Sequence, residues 1–182
     1  MKLQENQMSK VNKILIIHGW NANPHDHWFN IAQREWQKFG YDVKIPEMPG
    51  NYFPKLQDWL KIIDSYKVDE NWILIGHSLG GVAILKYLEN APHKISKAIL
   101  IATPYDAMNF GALNEFFNGE FNWQGIRQNC SKFEIINEDQ DPAIPLEHGR
   151  KYAQALEGKL HIIPGFTHFH KMDLDFLKNL LN

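Results

Sequence analysis

A parallel α/β sandwich is the fold class this sequence predicts, and three observations predict it. Short continuous apolar runs at residues 14–17, 72–75 and 98–101 have the length and composition of strands buried on both faces. Between them lie stretches whose apolar residues return every three or four positions, as on one face of a helix. The two kinds of segment alternate from residue 14 to the end of the chain, which is the pattern of a six-stranded, mostly parallel sheet with helices on both faces. No internal repeat, low-complexity tract or long linker divides the chain, so its 182 residues are expected to form one domain with a sizeable core.

Each element has its own signal. The run at residues 14–17 ends at His18, Gly19 and Trp20 and feeds a polar loop, residues 21–27, containing Pro24. Trp28, Ile31, Ala32, Trp36 and Phe39 recur at helical spacing, and Gly40 follows as a stop. Residues 41–45 form a weaker second strand, closed by Pro46, Pro49 and Gly50. Residues 53–66 carry Leu56, Trp59, Leu60 and Ile63 on one helical face. The third strand, at 72–75, leads into a helix marked by Val82, Ile84, Leu85, Tyr87 and Leu88 and ending near residues 90–92. A fourth strand lies within 96–102 and stops at Thr103 and Pro104. Residues 105–131 are the least regular, with Phe110, Phe116, Phe117, Phe121, Trp123 and three glycines, and read as short helices and loops over the strand ends. A fifth strand (132–137), an acidic loop (138–145), a helix (146–156), a sixth strand (159–163), a loop (164–170) and a closing helix (171–181) complete the chain.

Composition excludes several function classes. The net charge of -2 arises from 19 basic and 21 acidic residues without a long run of either sign, so nothing resembles the electrostatic footprint of a nucleic-acid or anionic-membrane binder. Cys130 is the only cysteine, which rules out an internal disulfide and fits a reducing compartment. The first 13 residues lack the apolar core of a signal peptide, and no apolar run approaches the ~20 residues of a membrane span. A cytoplasmic setting is expected, with residues 1–10 as a flexible extension.

The chemistry centres on residues 76–80, Gly-His-Ser-Leu-Gly, a G-x-S-x-G nucleophile elbow between a buried strand and a helix. A strained turn must lift the Ser78 hydroxyl clear of the strand, and Gly76 and Gly80 leave room for that turn. A bare G-x-S-x-G can also be a glycine-rich turn that merely reverses the chain; the strand-turn-helix context favours the nucleophile. A serine hydroxyl needs a base, and the base needs an acid to hold its tautomer. Functional groups of parallel sheets gather at the carboxyl ends of the strands. Of the nine histidines, His168 lies at such an end and follows the serine in the order serine, acid, histidine, with His170 in reserve. For the acid, the loop after the fifth strand offers Glu138, Asp139 and Asp141. Asp141 is favoured, with Asp139 as close rival and Asp106, after the fourth strand, a distant third; the acids not so used are expected to cap the helix starting near residue 146. The amides of Leu79 and Trp20 are candidates for an oxyanion hole, and His18, Phe121 and Trp123 for the substrate pocket, although the aromatic rings Trp20, Phe121 and Trp123 are each more safely read as core. His77 is expected to pack or bond locally. His25 and His27 lack a third ligand at metal-site spacing, so no metal is expected.

With these residues placed, the chain resembles a compact α/β hydrolase, and more narrowly the small serine-hydrolase family that includes retinoblastoma-binding protein 9 and its bacterial relatives. The matching features are the His18-Gly19-Trp20 loop, the elbow through Gly81, the Phe121 to Gln124 stretch with Ile126, Asn129 and Cys130, the Asp141 to Pro145 segment and the turn from Gly165 to His168. The resemblance implies a three-layer α/β-hydrolase fold with little or no lid, a Ser78, Asp141 and His168 triad, no cofactor, and small esters or amides as substrates. The expected reaction is cleavage of small carboxylic esters, with thioesters and amides as further candidates, through an acyl-enzyme. Acyl transfer, carbon–carbon bond hydrolysis and a non-catalytic interaction module on the same fold stay open. The vertebrate member's Leu-x-Cys-x-Glu pattern is absent, since Gln128 and Lys132 flank Cys130, so the retinoblastoma protein is not expected as a partner.

Overall fold

The computed structural model describes residues 12–165 and 167–182, so the extension expected at residues 1–10 lies outside the described residues. Among the described residues six strands form one sheet: β1 (Lys13–Ile17), β2 (Asp42–Lys44), β3 (Trp72–His77), β4 (Lys97–Ile101), β5 (Phe133–Glu138) and β6 (Lys159–Ile163). Their spatial order is β2-β1-β3-β4-β5-β6 and every neighbouring pair is parallel. All carboxyl ends therefore lie along one edge, where the loops after β1, β3, β5 and β6 meet.

Among the described residues seven α-helices cover the two faces: α1 (Phe29–Gln37), α2 (Leu56–Ser65), α3 (Leu79–Leu88), α4 (Asn114–Phe117), α5 (Trp123–Gln128), α6 (Leu146–Leu156) and α7 (Leu174–Asn179). Side chains on a strand point alternately to opposite faces, so each continuous apolar run feeds two cores at once. Ile14 and Ile16 of β1 and Ile73 and Ile75 of β3 pack with Phe29, Ala32 and Trp36 of α1 and Leu177 of α7. Leu15, Ile17 and Leu74 point the other way, against Trp59 and Ile63 of α2, the apolar residues of α3, Ile126 of α5 and Tyr152 and Leu156 of α6. Helix α3 is buried along its whole length, which explains why its sequence is apolar all round rather than striped. No helix among the described residues is long and apolar enough to cross a membrane.

Several element boundaries and one buried face differ from the sequence expectation, and the following have a local reason. The face that α1 turns to the sheet is Phe29, Ala32 and Trp36, so Ile31 is displaced to the flank and 47% exposed. Phe39 lies beyond the helix end, ahead of the positive φ of Gly40, with the Lys178 ammonium over its ring. Helix α2 starts at Leu56 rather than residue 53, because Pro54 disfavours helical backbone at Phe53, which is 78% exposed. Helix α7 starts at Leu174, where the Asp173 carboxylate accepts the amide protons of Asp175 and Phe176 and sets the N-cap. Glu138, expected in a loop, is the last residue of β5.

The strand edge is tight where α3 passes β1. A Cβ on Gly80 would fall onto the Ile17 carbonyl and lie 2.7 Å from the His18 oxygen. These are backbone atoms of the central sheet and cannot give way. Gly80→Ala is therefore expected to destabilise the fold by about 3 kcal/mol. A urea midpoint unchanged from wild type would contradict this close approach.

Candidate active site

Ser78 sits between β3 and α3 with φ 53 and ψ -124, a conformation that L-residues rarely adopt. Its amide donates to the Ile101 carbonyl at 2.8 Å, which ties the strained residue to β4. A Cβ on Gly76 would collide with the backbone of Gly81, and one on Gly81 with the Thr103 side chain. The glycines around the serine thus give the turn its space, as the motif predicts.

His168 lies in the loop after β6 and Asp141 in the loop after β5. The His168 Nδ1 is 2.9 Å from Asp141 Oδ2 and 3.1 Å from Oδ1. A carboxylate only accepts, so Nδ1 carries the proton and Nε2 of the neutral ring presents its lone pair. The Asp141 side chain is fully buried. Burial works to raise its carboxyl, but His168 and the amides of Ile144 and Ala143 together hold it below the usual carboxylate value. Those amides lie 2.9 and 2.8 Å from Oδ1.

Ser78, Leu79, Trp20 and His168 line a single cavity of about 220 Å³, with apolar walls from Met108, Phe110, Leu113 and Ile144. The Trp20 and Phe110 rings are 5.2 Å apart along one wall. The structure thus brings together five of the eight singled-out residues: Ser78, Leu79, Trp20, His168 and, behind the imidazole, Asp141.

The other three are elsewhere. Phe121 and Trp123 line a neighbouring cavity of about 470 Å³ with Tyr105 and Phe117, which shares only Asp106 with the cavity at Ser78. Phe121, in the link between α4 and α5, and Trp123, at the start of α5, both pack toward Tyr152 of α6. His18 is buried and works inside the loop after β1: its Nε2 accepts the Met48 amide proton at 3.0 Å, so Nδ1–H faces the Gly19 carbonyl at 2.9 Å. Burial lowers its pKa, which keeps this ring neutral.

The rival acids have separate tasks. Asp139 accepts the Gly165 amide proton at 2.9 Å. Asp106 is 3.8 Å from His148 Nε2, and His148 Nδ1 accepts from the Tyr105 amide. The expected capping of α6 is not what these acids do; Pro145 precedes that helix without a side-chain cap. Two residues carry more of the site than the sequence indicated. The Glu138 carboxylate receives the Thr167 and His168 amides and the Thr167 hydroxyl, at 2.7, 2.8 and 2.6 Å. His77 donates its Nε2 proton to the His168 carbonyl at 2.9 Å, and burial pushes its pKa down to about 3. The alternation of strand and loop could have pointed to Glu138, since a carboxylate ending a central parallel strand faces the site edge. His170 stacks on His27, with ring centroids 4.3 Å apart.

Comparison with known proteins agrees with this architecture. YdeN of Bacillus subtilis is 29% identical over 162 residues, covering 86% of this chain and 85% of that protein. Serine hydrolase RBBP9 of Rattus norvegicus is 25% identical over 152 residues, 80% of each chain. The crystal structure of the Bacillus subtilis ydeN product superposes with a TM-score of 0.87 at 26% identity, over 93% of this chain and 96% of that one. Est1E of Butyrivibrio proteoclasticus shares the fold, with a TM-score of 0.71 at 19% identity, over 97% of this chain and 88% of that one. The serine hydrolase family model matches residues 14–174, and the chain, an α/β-hydrolase enzyme, belongs to that family.

Proposed function

We propose that the protein cleaves small carboxylic esters through a Ser78, His168 and Asp141 triad and an acyl-enzyme. The observation that carries this reading is the 2.9 Å contact of His168 Nδ1 with a buried Asp141, on a ring that shares a cavity with Ser78. His168 Nε2 takes the Ser78 hydroxyl proton while Oγ attacks the ester carbonyl carbon. The carbonyl π electrons move to oxygen, facing the Leu79 amide at the start of α3 and the Trp20 amide; each such donor is worth about 3 kcal/mol in comparable sites. Collapse expels the alcohol, which leaves with the proton returned by His168. Water, deprotonated by the same nitrogen, then attacks the acyl-serine and releases the carboxylic acid, restoring the hydroxyl. Asp141 keeps the Nδ1 tautomer and balances the transient imidazolium.

The apolar lining favours an uncharged acyl group, and the modest volume of about 220 Å³ favours a short one. Thioesters and amides undergo the same steps with a thiol or amine as leaving group.

A fluorophosphonate probe should label the wild-type protein, and Ser78→Ala should abolish both labelling and turnover, a fall of about 10⁶-fold in kcat. Labelling that persists in Ser78→Ala would overturn the assignment of the nucleophile. Asp141→Asn leaves the fold intact but removes the tautomer lock, and is expected to reduce kcat by about 10⁴-fold. A fall below tenfold would point to another acid. Hydrolysis rates unchanged by added alcohol or thiol acceptors distinguish hydrolysis from acyl transfer.

A further inference from the structure

We propose that Glu138 is a positioning residue that holds the His168 main chain in its working conformation, an inference that rests on the triad reading above. Glu138 is 4% exposed, and every hydrogen bond it accepts among the described residues comes from Thr167 and His168. Its Oε2 takes two backbone amide protons, from Thr167 at 2.7 Å and His168 at 2.8 Å, and Oε1 takes the Thr167 hydroxyl at 2.6 Å. Such charge-assisted bonds are short and about twice as strong as neutral ones.

The loop needs this restraint. His168 and Phe169 have φ of 52 and 50, two consecutive left-handed residues that are not glycine. Such residues are strained and persist only where their surroundings dictate them. Three contacts define His168: its ring on Asp141, its carbonyl on His77, and its amide on Glu138. Only the last acts on the side of the residue where the chain arrives from β6.

The sheet brings the carboxylate to this point. Glu138 pairs in register with Ile163, the last residue of β6, so it ends its strand where the histidine loop begins. Gly165 makes the approach possible, because a Cβ there would lie 2.5 Å from Glu138 Oε1. Glu138 does not line the cavity at Ser78, and its oxygens face N–H and O–H donors, so it acts through His168 and not as an acid or base on substrate. Asp141 governs the ring's proton, and Glu138 governs where the ring is.

The test compares Glu138→Ala with Glu138→Gln on one small ester, with kcat expressed per fluorophosphonate-titrated site. Releasing the loop by about 1 Å lowers kcat by about 100-fold, with KM within threefold of wild type, since substrate still meets the same apolar walls. Glutamine keeps an oxygen for the two amides and can donate to the Thr167 hydroxyl, so it restores kcat to within about fivefold of wild type. A folded Glu138→Ala with kcat within threefold of wild type overturns the proposal, as does a change confined to KM, or a glutamine variant no better than alanine. If alanine prevents folding, Glu138→Met fills the space without a strong acceptor and is judged by the same kcat and KM criteria. Absence of Ser78-dependent labelling in the wild type would instead overturn the triad. Normal labelling with a fast Glu138→Ala would overturn this inference alone.

Discussion

The backbone crossing beside the serine is the constraint on which the rest of the molecule depends. Helix α3 must start within contact of the end of β1 and of Thr103 after β4, and only residues without a Cβ fit at 76, 80 and 81. That approach bends the chain sharply enough to hold Ser78 at φ 53, with its amide pinned to Ile101. It also sets the serine against the loop after β1, from which Trp20 reaches the same cavity. A looser crossing would relax the serine and separate it from both.

At the other side of the site, three carboxylates within four residues divide one job. Glu138 receives the main chain of the histidine loop, Asp139 receives Gly165, and Asp141 receives the imidazole. Their closeness to that loop follows from parallel pairing of β5 and β6, which ends both strands at the same edge. Like charges at this density are tolerated because each faces N–H or O–H donors from the loop or, for Asp141, also from its own turn.

The histidines show how one side chain serves opposite ends. His18 and His77 are buried, neutral, and spend their hydrogen bonds on backbone groups that shape the loops around the serine. His161 pairs with Glu134 between neighbouring strands. His168 differs in that its backbone is held by others, while its ring spans from Asp141 to the cavity at Ser78.

By itself the sequence determined the alternation of strands and helices and the elbow around Ser78, and narrowed the acid and histidine to the loops after the fifth and sixth strands, because these rest on local signals: apolar periodicity, glycines required by sterics, and loops following strands. Helix α6 and strand β6 were legible to the residue, since Pro145 and Gly158 punctuate them. The tertiary structure alone decided which acid meets the imidazole, that the Glu138 carboxylate receives the main chain of the histidine loop, and that Phe121 and Trp123 face a separate cavity. Those outcomes depend on strand register and on the path of residues 105–131 over the sheet edge, and both are set by contacts between segments far apart in the chain, which no local pattern encodes.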